Sequence, residues 1–205
     1  MVRWHGSGVS ETIVPAVDGA IGLAPRVQLG VSVPRVAGSL GTSFFSAKIG
    51  VLDDDVRGLK VAVAPTLEVL GGASAISTPS REGRAHWGLP VSVHVDRANT
   101  RIYVSSGYFS PGIWYAGAGV SRSIGDRSGI SGSFSRAWTE SGPGVPAAAA
   151  PRRNDVSGGV SYEVRPNIAV FGSIGRTLWT AAEDGAGTTL GFGLSLSAAP
   201  AVSTK

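Results

Sequence analysis

The chain of 205 residues has no cysteine, one methionine and three histidines, and no stretch of it approaches about 18 uninterrupted apolar residues. Without cysteine there is no disulfide framework and no thiolate metal site. Without a long apolar run there is no membrane-crossing helix. Charged residues are also few, at 16%. The net charge of +4 comes from single Arg and Lys residues scattered at turns and segment ends, with only Arg152 and Arg153 side by side, so no basic stripe for nucleic acid forms. No G-x-S-x-G elbow occurs, and the glycine runs at Gly117-Ala118-Gly119 and Gly191 to Gly193 lack the Lys and the following helix of a phosphate loop. The chemistry of an enzyme and of a cofactor site is therefore not legible; the reading expects neither. Met1 to Ser10 contain no apolar signal-peptide core, from which a processed or partial chain is expected.

What is present is alternation. Leu190, Phe192, Leu194 and Leu196 are interleaved with Gly191, Gly193, Ser195 and Ser197, a period of two that belongs to a β-strand with unlike faces. The bulky set is continuous, whereas the small and polar set cannot form the core of a soluble sandwich. A closed sheet whose outside meets lipid and whose inside meets water accounts for both faces. A mean hydropathy of only +0.17 fits, because transmembrane strands spread their apolar residues over every second position.

Alternation and turn signals together predict eleven strands, at 11–23, 27–35, 42–52, 59–70, 84–95, 100–109, 112–124, 128–138, 155–164, 167–179 and 187–197. Most have the length of about 10 residues that a tilted strand needs to cross a bilayer. Short connections at Ala24–Arg26, Asp53–Arg57, Asp96–Asn99, Gly125–Arg127 and Arg165–Pro166 alternate with longer ones, the tight turn at Ser110-Pro111 excepted. In outer-membrane barrels short turns lie in the periplasm and long loops outside. An odd number of strands leaves an unpaired edge, so one strand is expected to be missing before residue 11: a single barrel domain over residues 1–205 that lacks its signal peptide and first strand, with about eleven strands present of about twelve.

Parity assigns the faces. Val27, Leu29, Val31, Phe45, Ile49, Val51, Val61, Leu89, Val91, Val170, Ile174 and their neighbours face lipid, and Asp18, Gln28, Lys48, Lys60, Glu68, His86, His94, Arg101 and Glu163 face a lumen. His86 and His94 stand eight residues apart on one strand, about 26 Å at about 3.3 Å per residue, too far to share a metal ion. Arg122, Arg136 and Arg176 fall on the outward parity, which calls for side chains that reach an interface or for a local bulge. Trp87, Trp114, Trp138 and Trp179 all come to the rim of the long loops, as an aromatic girdle would. Strict alternation points Trp179 inward. Asp53, Asp54 and Asp55 read as a solvated turn.

The segments Arg26-Val27-Gln28-Leu29, Ser46-Ala47-Lys48-Ile49-Gly50, Pro65-Thr66-Leu67-Glu68, Trp87-Gly88-Leu89-Pro90-Val91, Gly107-Tyr108-Phe109-Ser110 and, above all, Ala169-Val170-Phe171-Gly172-Ser173-Ile174-Gly175-Arg176-Thr177 resemble the bacterial outer-membrane β-barrels of the meta-pathway phenol-degradation transporter family. The resemblance implies passive passage of small, hydrophobic or aromatic solutes across the outer membrane, with lipid and solute as partners and no cofactor. Its motifs are structural and transfer no functional residue. Two other readings stay open: a structural or adhesion barrel with a plugged lumen, and a secreted soluble β-sandwich binding module.

Overall fold

A computed structural model describes residues 2–5, 11–13, 16–36, 39–40, 42–69, 85–110, 112–139, 152–180 and 187–197. They form fifteen strand segments: β1 (Val2–His5), β2 (Glu11–Ile13), β3 (Ala16–Ala24), β4 (Val27–Val36), β5 (Ser39–Leu40), β6 (Ser43–Asp54), β7 (Leu59–Val63), β8 (Thr66–Val69), β9 (Ala85–Arg97), β10 (Thr100–Phe109), β11 (Ile113–Ile124), β12 (Ser128–Thr139), β13 (Arg152–Arg165), β14 (Ile168–Thr180) and β15 (Gly187–Leu196). All pairings are antiparallel; β4 with β6, β6 with β8 and β7 with β9 skip one short segment each, and β1 pairs with both β2 and β15. Segments β2 and β3, β5 and β6, and β7 and β8 each follow one another along a single line of the sheet, so the fifteen segments make twelve strands. The hydrogen-bonded path begins at β2 and ends at β3, which are successive in the chain. The sheet is an up-and-down barrel.

The eleven predicted strands are all present, and the twelfth corrects the sequence reading: it is not absent but is supplied over four residues by β1. Four residues are too few for alternation to stand out, and Trp4 and His5 break the apolar rhythm. Long strands such as β9, β13 and β14, of 13, 14 and 13 residues, exceed the span needed for a bilayer.

Five tight turns, Pro25-Arg26, Asp55–Gly58, Ala98-Asn99, Gly125–Arg127 and Pro166-Asn167, gather at one end, the turn rim. The opposite end is the loop rim. Two turns need glycine for different reasons. At Gly125, with φ +66°, nothing lies where a Cβ would stand, whereas at Gly58, with φ +63°, a Cβ would meet the backbone carbonyl of Asp96. The Gly125→Ala variant is expected to lose about 1 kcal/mol from the left-handed backbone alone, and Gly58→Ala about 1 kcal/mol more from the collision. Denaturant unfolding of the refolded barrel in detergent measures both, and equal losses would remove the steric part of the account.

Candidate functional site

Cross-strand register carries the two faces around the barrel. Val31, Phe45, Leu67 and Trp87 share one row, and Ile102, Val120, Gly132, Gly158, Ile174 and Leu190 another, all on the apolar face. Asp18, Ser32, Phe44, Glu68 and His86 share a row on the opposite, polar face. Gln28 and Lys48 are direct partners there. Asp53, Lys60, His94, Tyr103, Gly119, Ser133 and Ser157 make a third polar row, and Asp96, Arg101, Ser121 and Ser131 a fourth. Glu163 pairs with Ala169 beside a bulge and keeps the parity of Ser161 and Phe171. All nine residues singled out from the sequence thus share one face, but they do not converge on one point.

The register brings four clusters together on that face. Lys60 Nζ lies 3.2 Å from Asp53 and 3.5 Å from Asp55. Arg101 Nε donates to Asp96 at 2.6 Å, and His94 Nε2 approaches the other oxygen of Asp96 at 4.0 Å. Glu68 and His86 approach to 3.9 Å beside Trp87, near the loop-rim ends of β8 and β9, and His86 Nε2 has no hydrogen-bond partner among the described residues. Near the loop rim, Arg153 Nε donates to Asp155 at 2.7 Å while Thr177 Oγ1 donates to the same carboxylate at 2.7 Å. Lys48 makes no ion pair among the described residues.

Asp53, Asp96 and Asp155 were not found from the sequence. A bulge explains the first: between Gly50 and Leu52 the register slips by one residue at Val51, which brings Asp53 opposite Lys60, although plain counting from Ile49 sets it outward. Asp53 and Asp54 accordingly belong to β6 and not to the turn expected there. A similar step between Asn154 and Asp155 resets the count before Trp179, which takes its place opposite Asn154; its side chain lies outside the described residues. No bulge accompanies Arg122 or Arg136, because the ladder between β11 and β12 is unbroken. Arg176 pairs with Val156, inside the regular stretch of its ladder, so all three arginines remain on the apolar face.

Three of the four expected tryptophans can be placed. Trp87 and Trp114 flank Tyr108 on the apolar face near the loop rim, with ring centroids at 5.5 and 5.1 Å, and Trp138 is the cross-strand partner of Trp114. The tilted and edge-on geometries are those that aromatic quadrupoles favour.

The polar face is not uniformly polar. Tyr103 covers Gly119, Phe171 covers Gly193 and Phe109 covers Gly88, in each case so closely that a Cβ on the glycine would overlap the ring. Phe109 also meets Tyr115 with centroids at 5.9 Å. Glycine on one strand and an aromatic ring folded across it from the next is a recognised way of covering exposed strand backbone. Sequence reading missed these rings because only register shows which glycine lies beside which ring. Around them β11 to β15 carry rows of Gly, Ser and Thr, including a 2.7 Å contact between the hydroxyls of Ser133 and Ser157. The ionised residues concentrate on β6 to β10.

No protein-family model and no curated protein matches this chain. Solved structures do. A porin called NanC aligns over 96% of this chain and 98% of its own with a TM-score of 0.73 at 7% identity, and a porin called KdgM over 97% and 96% with a TM-score of 0.69 at 9% identity. The chain has the fold of these porin barrels.

Proposed function

We propose that the chain is an outer-membrane channel, through which small solutes pass by diffusion along the polar face. The apolar face meets lipid in the bacterial outer membrane and the polar face bounds the lumen, lined by Asp18, Gln28, Lys48, Lys60, Glu68, His86, His94, Arg101 and Glu163. Trp87, Trp114 and Trp138 with Tyr108 form the girdle at the outer interface. The fold shared with porins supports the membrane reading.

The observation that carries the channel reading is the absence of a packed interior. Among the described residues no side chain is fully buried, and only Ala62 and Thr177, at 7% and 4% exposure, come near it. A barrel of about 8 strands is filled by its own side chains and one of about 16 leaves a channel. Twelve strands lined largely by Gly and Ser leave inward residues in contact with open space. This favours a conducting barrel over a plugged, purely structural one.

The aromatic rings on the polar face, Tyr103, Phe171, Phe109 and Tyr115, offer flat apolar surfaces between charged and hydroxylated walls. They support the finer reading that the solutes include aromatic ones. The refolded protein in planar bilayers is expected to give stepwise ion conductance, and liposomes carrying it are expected to admit phenol-sized aromatics faster than aliphatic alcohols of equal size. The Tyr103→Ala, Phe171→Ala double variant is expected to keep its conductance and lose that preference several-fold. Folded protein that gives no conductance would end the channel reading; an unchanged preference would end the aromatic one.

A further inference from the structure

Three arginines gather on the apolar face toward the loop rim. Arg136, on β12, lies between Phe134 and Trp138 in the alternation of that face. Arg152, on β13, is the direct partner of Trp138, and Arg176, on β14, is the direct partner of Val156. Asn154 is their common neighbour: it pairs with Arg136, stands two residues from Arg152 along β13, and is diagonal to Arg176 across the next ladder. Such positions have side chains starting about 5–8 Å apart, close enough for long ones to converge above Asn154.

Their height follows from the strands. Arg136 and Arg176 each come eight positions after the first residue of their strand, Ser128 and Ile168, at the turn rim. Eight steps of about 3.3 Å along a strand tilted by about 40° climb about 20 Å of an apolar band about 25 Å tall. Both therefore sit just below the outer interface, and Arg152, beside Trp138 of the girdle, sits at it. A guanidinium surrounded by acyl chains alone is strongly unfavourable, so these three need anions. The neighbouring strands supply none. The carboxylates of β11 to β15 are Asp155 and Glu163, both on the polar face, where Asp155 is taken by Arg153. Among the described residues Arg136, Arg152 and Arg176 make no ion pair.

We propose that Arg136, Arg152 and Arg176, with Asn154 between them, bind the headgroup of an outer-leaflet glycolipid that carries two phosphates, a site that takes the membrane reading above as its premise. Charge and spacing both favour that headgroup. A phosphate monoester carries about −1.5 to −2 at pH 7, so two of them balance three guanidiniums, whereas the single negative charge of an ordinary phosphodiester lipid does not. Arg152 and Arg176 start about 14 Å apart, four residues along and one strand across, which suits two separated phosphates better than one. Guanidinium forks bind phosphate oxygens in pairs, and Asn154 adds an amide donor. The acyl chains then lie down the apolar face below, over Phe134, Val156 and Ile174.

The test uses the full chain refolded in a non-ionic detergent, with diphosphoryl lipid A as the probe and native mass spectrometry as the readout. The parent is expected to hold one molecule of it. The triple variant Arg136→Gln, Arg152→Gln, Arg176→Gln is expected to bind at least tenfold more weakly while keeping heat-modifiable migration, because the changes only remove charges from the lipid face. Arg122→Gln, the same change on the same face at the turn rim, should bind as the parent does. Lipid A stripped of both phosphates should bind parent and triple variant alike, and inorganic phosphate in large excess should not displace the intact lipid. Equal binding of intact lipid A by parent and triple variant would overturn the proposal, as would undiminished binding of the stripped lipid, which needs only apolar contact. Displacement by inorganic phosphate would make this a site for soluble anions and overturn the lipid assignment. A chain that fails the membrane reading shows no heat-modifiable migration at all, and conductance enters none of these readouts, so each failure is distinguishable from the others.

Discussion

Arginine in place of Phe134 is expected to destabilise the barrel in lipid by about 2–4 kcal/mol, the cost of a cation on the lipid face at mid-membrane. Arginine in place of Ser133, the adjacent residue, is expected to change stability by less than about 1 kcal/mol. Both residues sit at the middle of β12, and both are backed by an unbroken ladder on each side. Phe134 shares its row with Ala118 and Val156 and is 46% exposed. Ser133 shares its row with Gly119 and Ser157, and among the described residues the substitution removes its hydroxyl contact with Ser157. Backbone, strand and depth are the same for the two positions, so the difference between them measures the surroundings of the two faces and nothing else. The measurement is urea unfolding in phospholipid vesicles, with heat-modifiable gel migration as the sign of a closed barrel. A soluble sandwich would give the same order, with Ser133 facing solvent and Phe134 a dry core, so what separates barrel from sandwich is lipid: the sandwich would fold and unfold without it and show no heat-modifiable migration. Ser133→Arg should also narrow the polar path and lower single-channel conductance, whereas Phe134→Arg should not.

That two neighbouring residues can be given such different roles shows what a period of two makes legible. Strand positions, the alternation of short and long connections, and the face of each of the nine polar candidates follow from counting, because a strand permits only two side-chain directions. Counting fails wherever the backbone slips by a residue. The bulge at Val51 turns Asp53 toward Lys60, and the step at Asn154 places Trp179 out of phase; neither leaves a mark in composition or hydropathy. Counting also says nothing of which strand lies beside which ring, so the pairing of Tyr103 with Gly119 and Phe171 with Gly193 waits on register. The clusters at Asp96 and Asp155 are hidden for the same reason. Each joins residues from adjacent strands or from both sides of a turn, and only the ladder brings them within hydrogen-bond reach.

Replacing Lys48 and Lys60 together with glutamate is expected to shift the channel strongly toward cations. Around the turn rim three cations on the polar face, Lys48, Lys60 and Arg101, stand with three aspartates, Asp53, Asp55 and Asp96, near to balance. Each Lys→Glu change removes one positive charge and adds one negative, so the pair alters the local charge by four. A unit charge about 7 Å from the path is worth about 0.6 kcal/mol in water and about half that at 0.1 M salt. Four such steps give about 1 kcal/mol for an ion of either sign, in opposite directions, and together correspond to a change of at least about tenfold in the cation-to-anion permeability ratio. The ion pairs lost from Lys60 to Asp53 and Asp55 are exposed, so the double variant should still fold and keep its heat-modifiable migration. Reversal potentials across a salt gradient in planar bilayers read the shift, which should shrink as salt rises. Arg122→Gln, a charge change at the same end of the barrel but on the apolar face, serves as the control and should leave the ratio unmoved. If the double variant conducts with the selectivity of the parent, Lys48 and Lys60 do not look onto the path of the ions, and the assignment of the polar face to the lumen is wrong.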